Sequence, residues 1–355
     1  MKIGIVCYPT FGGSGVVATE LGLELSKRGH EIHFITYSQP VRLELLSNNV
    51  HFHEVHVPEY PLFLYQPYEL ALSSKLVDMA QQMLKDEGIF VPIVTTLHGT
   101  DITLVGSHPF YKPAVTFSIN KSNAVTSVSE SLKQDTLRLF NVKRDIHVVP
   151  NFIDLEKHEY NFTDCQREMM AEDDERIITH ISNFREVKRI PDVIKVFYNI
   201  QKELPAKLMM VGEGPEKEAA EKLTEDLGIS DRVIFFGNSH EIDNILCFSD
   251  LFLLPSQTES FGLAALEAMA SGVPVISTNT GGLSEVNEHG FSGYLSDVNA
   301  IEDMSDNAIK ILADLNTLSQ FKEHAKIQSQ KFDLHNIVPK YEAIYEETLK
   351  KFMVH

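Results

Sequence analysis

The sequence predicts an α/β protein built from two doubly wound, Rossmann-like domains facing a cleft. Three observations carry this expectation. Short apolar runs alternate with longer helical stretches, the order that produces parallel sheets. The chain opens as strand, glycine-rich turn, helix and strand. The alternation lapses over residues 155–176, which are rich in charge and poor in apolar periodicity, and then starts again. A chain of 355 residues can bury two cores. The expected layout is a first domain over 1–154, a linker with a peripheral helix over 155–176, a second domain over 177–332, and a C-terminal helix over 333–355 that packs back on the first domain.

In chain order, residues 2–7 read as a buried parallel strand. The turn Gly12-Gly13-Ser14-Gly15 follows, then a helix from Val16 to Arg28 that Gly29 stops. Ile32 to Thr36 is the second strand. The glycine spacing is not GxGxxG, and Thr36-Tyr37-Ser38 offers no acid to a dinucleotide ribose, so the opening does not carry the NAD fingerprint. His51 to Val57 is a further strand. His51 and His53 share one face and His56 points the other way, so the three histidines predict a structural role and no metal site. Residues 69–88 read as a long helix ended by Gly88. Pro92 to Leu97 is a strand with His98-Gly-Thr-Asp101 at its carboxyl end, where open α/β sheets bind ligands. Asn123 to Val128 is a strand, followed by a helix capped by Ser129. Ile146 to Val149 is the last strand of this half, and Asn151 follows it.

The second half repeats the pattern. Strands are expected at 177–181, 207–211, 232–236, 251–255 and 273–277, with helices between them, and a helical tail at 336–352. Functional signals fall at the strand ends. After the first strand comes Ser182-Asn-Phe-Arg185-Glu-Val-Lys188-Arg189, where three cations suit a diphosphate or form a solvated basic turn. Gly212-Glu-Gly-Pro215 and Gly237-Asn238 end the next two strands. After the fourth comes Glu259-Ser260-Phe261-Gly262-Leu263, opening an alanine-rich helix that holds Glu267. The first N–H groups of a helix lack intrahelical acceptors and attract phosphate. Two carboxylates beside such a site repel phosphate itself but accept hydrogen bonds from hydroxyls on either side of it, as on a sugar and a ribose. The alternative reading makes Glu259 a cap residue and Glu267 a solvated helix residue.

A net charge of −19 excludes general affinity for nucleic acid or anionic membranes but not a local anion site. Three widely spaced cysteines, with no CxxC pair, indicate neither a zinc site nor a disulfide framework. No apolar run reaches membrane-spanning length and no leader is seen, so a soluble cytoplasmic protein is expected, with self-association left open.

Glu259-x7-Glu267, Arg185 with Lys188, and the paired α/β halves resemble the retaining glycosyltransferases of family four, which have the GT-B fold. The resemblance covers nearly the whole chain. Within the family, Cys7 to Gly22, His98 to Thr103, Asn151-Phe-Ile-Asp154 and Ser182-Asn-Phe-Arg185 resemble members that transfer N-acetylglucosamine from UDP-N-acetylglucosamine to L-malate in bacillithiol biosynthesis. The resemblance implies an acceptor-side first domain and a nucleotide-sugar-binding second domain, with no metal or other cofactor. It implies that Arg185 and Lys188, with Arg189 adjacent, hold the diphosphate and Glu259 the donor sugar. Ser260 to Leu263 would offer N–H groups to phosphate and Glu267 would hold the ribose. Ser182, Gly212, Asn238 and Asn151 would line the donor site. His98 would sit by the sugar as part of the catalytic set, and Gly13, Ser14 and Gly15 would flank the diphosphate and acceptor.

The chain departs from the family between Met79 and Gln82, where relatives carry a further central strand ending in His-x-His-Tyr and the start of a helix. Losing a central strand unpairs ladder groups on two neighbours or forces the sheet to close up. No arginine lies between Arg42 and Arg138, and Thr116 stands where related acceptor sites use one. Ser14, Arg42, Thr95, Thr96 and Lys112 remain as acceptor candidates. Two alternatives therefore stand beside transfer to malate: another small hydroxy acceptor, or UDP-sugar binding with impaired turnover.

Overall fold

The structure, a computed structural model, describes all residues except 8–12, 41, 44–48, 56–76, 78, 104–105, 159–166, 173, 240–241 and 354–355. The chain forms two compact units, Met1–Phe152 with His335–His355, and Ile153–Leu334.

In the first unit, β1 (Lys2–Val6), β2 (Glu31–Thr36) and β3 (Val50–Glu54) form a parallel sheet in the order β1-β2-β3. Between β1 and β2 runs α1 (Gly13–Lys27). It begins three residues before the expected start, so Gly13, Ser14 and Gly15 form its first turn instead of a loop. Val17, Leu21 and Leu25 recur at helical spacing and are buried, as are Ile32 and Phe34 of β2. Gly22 permits that packing: a Cβ there would lie 2.4 Å from the Phe34 ring. The helix stops where Gly29 takes φ 89° and His30 N donates to Leu25 O.

The helix expected over 69–88 is described as α2 over 79–86; residues 69–76 and 78 lie outside the described residues. A second sheet, in the order β4-β5-β6, is made by β4 (Val94–Leu97), β5 (Ala124–Ser127) and β6 (Ile146–Val148). With it go α3 (Thr100–Thr103), α4 (Lys112–Lys121) and α5 (Glu130–Leu139). Ser129 caps α5, its Oγ accepting from Leu132 N at 3.0 Å.

Among the described residues no ladder joins β1 to β4. The described strands of the first unit therefore fall in two three-stranded sheets. This corrects the reading of 2–7 as a buried strand. β1 alternates between exposed and half-buried, and Val6 is 54% exposed.

The second unit has one six-stranded parallel sheet in the order β12-β11-β10-β7-β8-β9. Its strands are β7 (Arg176–Ile181), β8 (Ala206–Val211), β9 (Val233–Gly237), β10 (Leu251–Leu254), β11 (Val275–Thr278) and β12 (Gly293–Ser296). The helices are α6 (Ile190–Glu203), α7 (Lys217–Asp226), α8 (Ile242–Cys247), α9 (Leu263–Ala270), α10 (Leu283–Val286), α11 (Ile301–Leu312) and α12 (Leu315–Ser329). β12 is not among the expected strands. Gly-Tyr-Leu-Ser has no apolar run, and its glycine is required by close approach, since a Cβ on Gly293 would lie 1.8 Å from Val275 O. Of the stretch 155–176, expected to hold a linker and a peripheral helix, the described residues form two short 3-10 turns, Leu155–His158 and Arg167–Met169, and residues 159–166 and 173 lie outside the described residues. Cys247 is disulfide-bonded, against the expectation drawn from cysteine spacing.

Ile194, Phe197 and Ile200 of α6, Leu208 and Met210 of β8, and Ile311 of α11 share one core. The floor of the sheet is tied by Asp250. Its Oδ2 accepts from Ile177 N at 3.0 Å and Arg167 Nη2 at 2.8 Å, and its Oδ1 from Lys322 Nζ at 2.8 Å. The last helix, α13 (Leu334–Met353), belongs from His335 onward to the first unit. There Tyr341 is fully buried, with its hydroxyl 3.4 Å from Val149 O.

Candidate active site

In the second unit the strand order reverses between β10 and β7, and ligands of doubly wound sheets bind beyond the carboxyl ends at such a reversal. The loops leaving β7 and β10 meet there. Gln257 N donates to Val187 O at 2.8 Å, and Lys188 Nζ donates to Glu259 Oε2 at 2.6 Å. Both side chains are mostly buried.

Backbone packing fixes the two loops. Phe184 is fully buried, and its N–H donates to Glu213 O at 3.1 Å. Gly212, at φ 127°, lies so close to the first loop that a Cβ would sit 1.8 Å from Ser182 O. On the other side, Gly282 N donates to Glu259 O at 2.9 Å, and a Cβ on Gly281 would lie 1.8 Å from that oxygen. Gly262 caps α9 at φ 97° and brings no side chain to the first-turn N–H groups, leaving that helix start open to an anion. Glu267 is half-buried on α9.

Arg185 is exposed, and no carboxylate pairs with it among the described residues. Arg189, the adjacent diphosphate candidate, is ion-paired within its own helix start. It sits in the left-handed region at φ 54°, and its Nε is engaged by Asp192 in the first turn of α6. The Phe261 side chain is buried edge-on to Phe332 at 5.6 Å, leaving only its backbone available to a ligand. Asn238 is exposed just beyond β9.

The sequence reading missed His180. It is fully buried on β7, with Nδ1 2.8 Å from Leu253 O and Nε2 2.7 Å from Ser182 Oγ. Burial pushes it down to about 4, against a smaller upward effect of the Leu253 carbonyl and with a further downward push from Lys188. The ring is therefore neutral. Nδ1–H donates to the carbonyl, and Nε2 accepts from the Ser182 hydroxyl. The spacing His180-x-Ser182, two residues apart on one strand face, was the available signal. Ser256, just past β10, has a buried Oγ with no hydrogen-bond partner.

In the first unit, Gly13, Ser14 and Gly15 form the start of α1. His98 follows β4, and burial pushes it down to about 4, so its imidazole is neutral at pH 7. Asn151 is buried, and its Oδ1 has no hydrogen-bond partner. The hydroxyls expected to meet an acceptor are already engaged: Thr95 Oγ1 lies 2.7 Å from Ser122 Oγ, and Thr96 Oγ1 accepts from Thr126 at 2.8 Å. Arg42, at φ 67°, pairs with Glu20 at 3.7 Å. Burial pushes the Cys7 thiol up to about 11, which removes it as a nucleophile at neutral pH.

Two family models match the chain: "Glycosyltransferase Family 4" over residues 11–157 and "Glycosyl transferases group 1" over 163–328. The chain is 44% identical to the N-acetyl-alpha-D-glucosaminyl L-malate synthase of Bacillus anthracis over 372 aligned positions, covering 99% of this chain and 98% of that one. Since 372 positions exceed the 355 residues of this chain, at least 17 positions of that relative have no counterpart here. An uncharacterised glycosyltransferase of Methanocaldococcus jannaschii is 27% identical, covering 82% of this chain and 84% of that one. The crystal structure of Anabaena HepE in complex with UDP-glucose superposes with a TM-score of 0.81 at 18% identity, covering 98% of this chain and 100% of that one. Sucrose-phosphate synthase from Thermosynechococcus elongatus superposes with a TM-score of 0.83 at 18% identity, covering 99% of each.

Proposed function

The chain belongs to the family 4 glycosyltransferases, with the GT-B fold, and from that premise we propose that it transfers N-acetylglucosamine from UDP-N-acetylglucosamine to L-malate with retention, the first step of bacillithiol biosynthesis. The observation that carries the reading is the meeting of Lys188 with Glu259 at the reversal point of the six-stranded sheet, beside the open start of α9. The 44% identity to the Bacillus anthracis synthase supports the choice of donor and acceptor. Such a biosynthetic role belongs in the cytoplasm, and no helix among the described residues is long and apolar enough to cross a membrane.

In this reading the malate hydroxyl attacks C1 of the donor sugar from the face that the diphosphate leaves. The C1–O bond to the β-phosphate breaks as the bond to malate forms, and the hydroxyl proton passes to the departing phosphate oxygen. The protein's contribution is position and charge. Lys188, Arg185 and the α9 N–H groups of Gly262 and Leu263 offset the charge on the leaving UDP. Glu259 holds sugar hydroxyls, and Glu267 holds the ribose. Ser182, oriented by His180, presents an acceptor lone pair to the nucleotide.

One observation favours a second reading, in which the chain binds the UDP-sugar and turns over slowly. Among the described residues no ladder joins β1 to β4, and the Thr95 and Thr96 hydroxyls already contact Ser122 and Thr126. UDP release from UDP-N-acetylglucosamine, measured with and without L-malate, separates the two. Malate-dependent release supports the transferase. UDP binding without release supports the second reading, and neither one removes both.

A further inference from the structure

The parallel register of β2 and β3 sets His33 opposite His51 and Ile35 opposite His53. Glu31, His33, His51 and His53 thereby share the face of this sheet away from buried Ile32 and Phe34. The rings stack: His33 lies 4.7 Å from His51 and 5.1 Å from His53, centroid to centroid. His33 Nε2 is 3.1 Å from Glu31 Oε1, and His51 Nε2 is 3.8 Å from that same oxygen. One ligand atom from each of Glu31, His33 and His51 falls within 4.8 Å of the others. The other nitrogen of His33, Nδ1, is 2.8 Å from His53 Nε2.

We propose that Glu31, His33 and His51 bind a borderline divalent transition-metal ion across β2 and β3, with His53 as the hydrogen-bond partner that orients His33. Two imidazoles and a carboxylate suit Zn²⁺, Ni²⁺ or Cu²⁺ and not Mg²⁺ or Ca²⁺, which require mainly oxygen ligands. Three protein ligands leave the remaining positions to water, which reaches this exposed face. Ligating histidines characteristically hydrogen-bond through their second nitrogen, and His33 already has that partner in His53. Without metal, the His33 Nε2–H donates to Glu31, and Nδ1 accepts from His53. With metal, Nε2 becomes the ligand, the His33 proton resides on Nδ1 and is donated to His53 Nε2, and the His53 proton moves to its own Nδ1. No net proton is gained or lost when both rings start neutral. Lys2, 3.1 Å from Glu31, competes for the carboxylate; it is well exposed and free to swing aside. The ion would tie edge strand β3 to β2. It is independent of the glycosyltransferase site.

Titrating Zn²⁺ into the full chain, with Mg²⁺ as control, tests the site. The expected result is one Zn²⁺ per chain, a melting temperature that rises with Zn²⁺, and no response to Mg²⁺. Because the chain has 15 histidines, variants decide which of them bind. His33→Gln and His51→Gln are each expected to weaken binding at least about tenfold, and His53→Gln about tenfold by loss of the orienting hydrogen bond. These side chains reach solvent, and circular dichroism checks that the variants fold. Absence of stoichiometric Zn²⁺ binding, or a His33→Gln/His51→Gln double variant that binds and is stabilised like the unmodified chain, overturns the proposal.

Discussion

Lys188 Nζ and Glu259 Oε2 lie 2.6 Å apart although 71 residues separate them in sequence. Without a donor, each is the other's counter-ion. In the roles proposed for them, a bound UDP-sugar would take the ammonium for its phosphates and the carboxylate for its hydroxyls, and donor binding would exchange one buried pair for two charge-assisted contacts.

Removing either partner should cost more than its own contact, because the other is left as a mostly buried charge without a partner. Lys188→Met is expected to lower kcat by about 10²–10³-fold, the scale of one lost donor to a leaving group. Glu259→Gln should impair the enzyme less. The double variant should be better than the product of the two single effects predicts. Steady-state kinetics on the three variants check this, and multiplicative losses would remove the coupling.

Gly281→Ala should separate activity from stability. Its Cβ would press on Glu259 O from a backbone at φ 58°, where the strain costs about 1–2 kcal/mol. The displaced Glu259 loop is expected to lose activity by about 100-fold, with a melting temperature lower by only a few degrees. Donor turnover and calorimetry on the same sample test both halves.

Acid should destabilise the second unit in two steps. His180, held at about 4 against an ordinary 6.5, binds fewer protons folded than unfolded between those values. Its contribution is therefore complete above about pH 6.5 and is lost as pH falls to about 4, a total of about 3 kcal/mol. Burial alone would raise the Asp250 carboxyl, but Lys322 and Arg167, with hydrogen bonds from Lys322 and Ile177 N, outweigh it and hold the carboxyl below its ordinary range. Its contribution is present above the ordinary aspartate range and is lost at still lower pH. Urea unfolding at a series of pH values should show the first loss in the unmodified chain and a flatter profile in His180→Gln.

Asp250→Ala removes the acceptor of two cations and one strand N–H together. Arg167 and Lys322 retain partial access to water, so the expected loss lies at the lower end for a broken buried pair, about 3 kcal/mol. The midpoint of urea unfolding measures it.

The second unit was legible because its signals were local. Unbroken apolar runs such as Ile177 to Ile181 marked strands, and Arg185, Lys188 and Glu259 stood at strand ends where topology brings loops together. β12 escaped because Gly293 is chosen by the proximity of Val275, which sequence does not display. The engagement of Arg189 by Asp192 was not legible, because it depends on a left-handed φ. In the first unit, the Gly29 stop and the Ser129 cap were readable, each resting on a few neighbouring residues. The grouping of His33 and Glu31 with His51 and His53 was not, because the register between two strands decides it.

The described strands of the first unit lie in two sheets of three, with a consequence for how the chain comes apart. In a three-stranded sheet two strands of three lie on a border; in the six-stranded sheet only two of six do. Border amides open to water at little cost, and interior ones open only when their neighbours leave. Amide exchange should therefore divide the molecule into a fast half and a slow half. β7, β8, β10 and β11 keep their protons longest, and Gly4 and Val6 of β1, whose N–H groups face away from β2 in this register, exchange early.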